Sequence, residues 1–229
     1  MVKEGWFKFE DNDYDFPFYK KNPHIPKWGW IVLFLVWIVG FILVMSDTVP
    51  KAILCCIVFI VPVLYFLDWD YHAIFRMPSR RDVALAVALF VGYLIYAMLM
   101  GILLEHFGIV SSGLVDRESL TIMVIFTSIF TLMGEEFLKF IPFLFLLRVI
   151  YKYTHNRKLA VIVSVALIMV MFASMHAYNY IMFLYALFIQ GFGSIFEFYG
   201  YIKTKNILVS YITHLCTDMF IFALFLLGL

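Results

Sequence analysis

Glu135 and Glu136 are adjacent inside an apolar run, Leu120–Leu147, whose only other charge is Lys139. Charges at membrane depth are costly, so they mark a functional site by default. Two further polar groups lie in later apolar runs: Phe172-Ala-Ser-Met-His176 and His214-Leu-Cys-Thr-Asp218. Two close carboxylates in a low dielectric cannot both ionise cheaply, which suits one of them to act as a general base. Glutamate to take a proton from water, with histidine and aspartate to position it and stabilise an oxyanion, describes acid–base hydrolysis. A peptide bond is the most direct target.

Each residue also has a plainer reading. Glu135 can pair with Lys139 one helical turn away, but that leaves Glu136 unexplained. Phe172 and His176 share a helix face, and so do His214 and Asp218. At that spacing His214 and Asp218 can bond each other or reach one ligand together. Gln190 and Glu197 are weaker candidates, since Glu197 can pair with Lys203. The same residue types would also suit zinc, with Glu135, His176, His214 and Asp218 as ligands and one position open for water. The chain lacks the His-Glu-x-x-His helix of zinc proteases, so the metal-free chemistry is preferred and no cofactor is expected.

These side chains must be carried by membrane-spanning elements. The chain has 229 residues, 64% hydrophobic and 14% charged. A soluble domain is about half apolar and a quarter charged. The apolar runs are continuous over about 20 residues, which fits helices and not the short alternating strands of a barrel. The expected fold is all-α: a polytopic bundle of about seven transmembrane helices near 28–46, 50–67, 83–104, 119–149, 158–177, 181–200 and 207–228. The fourth is long enough to need tilt, an extension, or a break near Gly134 and Pro142.

Charge gives an orientation. With seven spans, fourteen of the 17 basic residues fall on the side of the N-terminus, against Lys51 and Arg117 on the other. The positive-inside rule then puts the N-terminus in the cytoplasm and the C-terminus opposite. Residues 1–27 read as a cytoplasmic segment on the membrane surface, and 28–229 as one transmembrane domain with its polar core at 118–220. Trp28, Trp30, Trp69, Tyr71, Tyr199 and Tyr201 lie near span ends, as interface anchors do. Cys55, Cys56 and Cys216 fall inside apolar runs, where buried thiols are expected and disulfides are not. No basic arm suited to nucleic acid is present. The expected partners are the lipid bilayer and a membrane-associated protein or peptide substrate.

The three motifs resemble those of the CPBP family of intramembrane proteases, which includes the type II CAAX prenyl endopeptidases and the Abi proteins. Members carry a Glu-Glu pair followed by Arg, a Phe-x-x-x-His and a His-x-x-x-Asn/Asp on separate helices. Here Glu135-Glu136, Phe172…His176 and His214…Asp218 fall in that order. The resemblance implies that Glu135 activates water with Glu136 assisting, and that His176 orients it. It also implies that His214 and Asp218 stabilise the oxyanion, with Lys139 and Phe172 in support. The family arginine would fall at Phe140, and Glu-Glu-x-x-Lys is closer to the PrsW-type proteases. Substrates in this family are prenylated CAAX proteins or peptide precursors. The alternatives are a non-catalytic scaffold or immunity protein of the same superfamily and a proton-coupled transporter.

Overall fold

The computed structural model describes residues 10, 14–19, 25–45, 48–110 and 121–227. Lys3, Lys8, Lys20, Lys21 and Arg117, all used in the charge count, lie outside these residues. The described chain is helical: α1 (Lys27–Val44), α2 (Val49–Phe66), α3 (Arg80–His106), α4 (Ile122–Thr154), α5 (Arg157–Met175), α6 (Tyr180–Ala186), α7 (Ser194–Thr204) and α8 (Ile207–Leu227). A π-turn, Leu187–Gly191, joins α6 to α7 within one span.

Six of the described segments are long and apolar enough to cross a membrane: α1, α2, α3, α5, the α6–α7 span and α8. Helix α4 supplies the seventh, set apart by Glu135, Glu136 and Lys139 at its middle. The protein is therefore an all-α, multi-pass membrane bundle. Most of α3 turns outward, with 11% of its apolar stretch buried. Such a surface suits lipid tails and would be a liability in water.

Local chemistry sets the helix ends. Ser79 and Asp82 form a reciprocal capping box at the start of α3. Thr121, Asn156 and Asn179 cap α4, α5 and α6 through side-chain oxygens. His155 and Lys205 end α4 and α7 in the left-handed conformation.

The central element is α4, packed against α1, α2, α5 and α8. Its 33 residues would reach about 50 Å at 1.5 Å per residue, more than the roughly 30 Å hydrocarbon core. It runs unbroken through Gly134 and Pro142. Pro142 has no N–H for the carbonyl four residues back, that of Leu138. The Trp37 indole of α1 donates to that carbonyl at 3.0 Å, so the proline leaves no orphaned acceptor. Gly134 lets α1 and α2 close on α4 behind the glutamate pair: a Cβ there would lie 2.8 Å from both Cys55 and Val44 side-chain atoms.

The described part of the N-terminal segment packs into the bundle. Phe16, Phe18 and Tyr19 are buried in the hydrophobic core. Glu10 receives Arg157 in two hydrogen bonds, at 3.2 and 2.7 Å, and lies 2.8 Å from Lys205. Burial pushes the Lys205 ammonium below its usual range, and Glu10 pulls it back up. Tyr201 is another departure from the sequence reading. It is 1% exposed, among Phe16, Phe140, Phe143 and Phe198, and does not serve as an interface anchor.

Candidate active site

The site is built where α4, α7 and α8 meet the end of α5. Glu135 and Glu136 point about 100° apart, as neighbours in a helix must, and their surroundings differ accordingly. Glu136 is 2% exposed and fully engaged. Its Oε1 lies 2.7 Å from Lys139 Nζ and 2.8 Å from His214 Nδ1, and its Oε2 accepts a short hydrogen bond from the Ser210 hydroxyl. The Glu135 side chain keeps 20% of its surface exposed and lies 3.8 Å from His214 Nε2.

Lys139 is completely buried. It pairs with Glu136 three residues before it, and with Glu197 of α7 at 2.8 Å. The expected Glu135–Lys139 pair is therefore replaced. On a helix, i,i+3 and i,i+4 neighbours are both in reach, and the tertiary partner Glu197 selects the former. Glu197 likewise turns to Lys139 and not to Lys203. Lys139 also lies 4.9 Å above the Phe172 ring, which links the α5 motif to this cluster.

His214 is 5% exposed, on the second turn of α8. Ser210, one turn earlier, faces the same carboxylate. A carboxylate at Nδ1 orients the ring and assigns that nitrogen a proton, leaving Nε2 toward Glu135 and Asp218. The separations from Nε2 are 3.8 Å to Glu135 and 4.0 Å to Asp218. Both exceed a hydrogen bond.

His176 caps the end of α5. Its Nδ1 lies 2.9 Å from the Phe172 carbonyl, which only accepts, so Nδ1 carries the proton. Its ring meets the Phe172 ring edge to face, with centroids 4.7 Å apart. Glu135, His176, His214 and Asp218 line one cavity of about 580 Å³, together with Phe172 and Glu197. Its walls are completed by Tyr93 and Tyr185, by Ile189 and Gln190 on the π-turn, and by Ile221, Phe222 and Phe225 of α8. The cavity is thus polar where α4 and α8 meet and aromatic beyond.

For a metal, the clustered ligand atoms among the described residues belong to Glu136, Glu197 and His214, which lie within 4.8 Å of one another. That set shares only His214 with the one expected from the sequence. The Lys139 ammonium already sits against both of its carboxylates. A divalent ion there would have to displace a buried cation, so these three residues do not fit a zinc centre well.

Sequence reasoning gave Glu197 the wrong partner and passed over Ser210 and Tyr93. The signal for Glu197 was present: it is one of the acids inside an apolar span, and such acids need partners. Ser210, at i−4 from His214, carried no signal beyond its helix face.

These features define a class: a multi-pass helical membrane protein with carboxylates and histidines lining a cavity in its bundle. Residues 117–220 match the family model of type II CAAX prenyl endopeptidase Rce1-like proteins. The matched stretch carries all three motifs, and the match supports the resemblance to the CAAX protease (CPBP) family. No individual curated protein and no solved structure matches the chain.

Proposed function

We propose that the protein is a glutamate-dependent intramembrane endopeptidase, acting on a membrane-associated or prenylated protein or peptide. The observation that carries this reading is the arrangement around His214 Nε2. Glu135 and Asp218 face it across 3.8 and 4.0 Å, at the wall of the cavity that His176 also lines. A water placed there has Glu135 as its base and His176 to orient it. Its oxygen attacks the scissile carbonyl carbon while the proton passes to Glu135. In its imidazolium form His214 donates from Nε2 to the developing oxyanion, and Asp218 acts beside it. As the C–N bond breaks, Glu135 returns the proton to the leaving amine.

In this scheme Glu136 is an orienting group and not a second base. Its carboxylate is taken up by His214, Lys139 and Ser210. Lys139 and Glu197 hold it in place, and the mechanism runs without a metal. The charge asymmetry of the loops supports a cytoplasmic N-terminus.

The test is product mass spectrometry on a pool of prenylated and unprenylated membrane peptides, comparing the native protein with Glu135→Gln. Cleavage by the native chain alone is expected. Which half of the pool is cut names the substrate class. A biological function that survives Glu135→Gln unchanged would instead identify a non-catalytic scaffold.

A further inference from the structure

The α6–α7 span carries an irregularity at the cavity wall. Residues 187–191 form a π-turn, in which Phe192 N–H reaches back to Leu187 O at 2.8 Å. Such turns are rare, and they occur frequently at functional sites. This one is held by contacts with α3, with the start of α7 and with its own backbone. The Tyr96 hydroxyl of α3 donates to the Phe188 carbonyl at 2.6 Å. The buried Ser194 hydroxyl donates to the Gly191 carbonyl at 2.7 Å. Gly193 closes the turn against its own backbone: a Cβ there would lie 2.0 Å from Ile189 O and 2.7 Å from the Tyr93 ring. These contacts tie the backbone of the turn to its neighbours.

The polar side chain this turn sends to the cavity is Gln190. Its Oε1 is buried and has no hydrogen-bond partner among the described residues. A buried acceptor left unpaired is costly, and here it sits in the same cavity as Glu135 and His214. The last torsion of a glutamine is soft, so its carboxamide can turn toward the cavity without backbone movement. The cavity's other acceptors include the carboxylates of Glu135, Glu197 and Asp218, which suit cations and acidic protons. A neutral amide oxygen suits a neutral N–H.

We propose that Gln190 is a substrate-positioning residue, which accepts a hydrogen bond from one backbone N–H of the peptide whose neighbouring carbonyl is presented to Glu135. The proposal rests on the endopeptidase reading above and deepens it. The turn and the acid–base cluster, which line the same cavity, would hold an extended peptide at two points. Positioning of that kind aligns the scissile bond before chemistry begins.

The test uses the full-length protein in lipid nanodiscs and a fluorescent farnesylated peptide. The peptide is also made as a series in which each backbone N–H in turn is replaced by an ester oxygen. Binding is measured on Glu135→Gln protein, so that turnover does not interfere, with Gln190 intact or changed to Leu. We expect one ester to weaken binding about fivefold when Gln190 is present. The same ester should make no difference on Gln190→Leu, whose binding of the all-amide peptide should fall by a similar factor. Gln190→Met, which keeps the unbranched shape and removes the acceptor, should match Gln190→Leu and so separates the lost hydrogen bond from a change of volume. Tyr96→Phe, which loosens the turn from outside the cavity, should shrink the ester effect without a change in cavity residues. The proposal is overturned if Gln190→Leu discriminates every ester as the Gln190 protein does, or if no peptide of the series binds. Binding without cleavage by the native chain would sink the endopeptidase reading and leave amide recognition standing.

Discussion

Among the described residues, two clusters of carboxylates and cations, largely buried, are built on opposite plans. At the N-terminal end of the bundle, Glu10 and Asp15 meet Arg157 and Lys205. Among the described residues, acids and bases there match in number. Glu10, Arg157 and Lys205 are all buried, and the direct contacts lie between 2.7 and 3.2 Å. In the middle of the bundle, Glu135, Glu136, Glu197 and Asp218 share a single ammonium, that of Lys139, with His214 between them. Of the three acids that line the cavity, Glu135 and Asp218 stand off the nearest His214 nitrogen by 3.8 and 4.0 Å. A balanced, closed cluster fastens chain segments together. An unbalanced cluster that opens on a cavity retains acceptors for something that is not part of the chain.

The largest expected contrast comes from Glu135→Gln. It should lower peptide cleavage by about 10²- to 10⁴-fold, the usual contribution of a general base, while thermal unfolding in lipid stays near native. A large fall in stability would place Glu135 with the fastening groups and break the distinction. Next is Lys139→Met, which strands Glu136 and Glu197 without their cation. Removing one member of a buried ion pair typically costs about 3–5 kcal/mol, read as a lowered unfolding temperature. Lys139→Met combined with Glu197→Leu should recover part of that loss.

Arg157→Met should destabilise by a comparable or smaller amount, about 3 kcal/mol, because Asp15 is partly exposed and Lys205 still faces Glu10. Its kcat, corrected for folded protein, should match native. A change in kcat would show that the two clusters are coupled. Ser210→Ala removes one charge-assisted bond to Glu136 and should cost about 1.5 kcal/mol, with a modest fall in kcat as His214 loses part of its support. The smallest effect belongs to Trp37→Phe, which frees the Leu138 carbonyl beside Pro142. One hydrogen bond inside a membrane bundle averages about 0.6 kcal/mol, measurable by unfolding in denaturant.

The sequence alone determined the class of the protein and the identity of its costly residues. Long uninterrupted apolar runs have one solution in lipid, a helix, because every backbone polar group must be paired within its own segment. Acids and histidines inside those runs stand out for the same energetic reason. Glu135, Glu136, His176, His214 and Asp218 could therefore be named from a string of letters, and so could the helices that carry them. Which partner each would take was decided only by the tertiary structure. Within one helix Lys139 reaches Glu135 and Glu136 equally well, and Glu197 from another span breaks the tie. The different surroundings of the two glutamates, the inward course of Phe16 to Tyr19 and the π-turn that carries Gln190 share that origin. Each depends on contacts between residues far apart in the chain, and local periodicity carries no record of them.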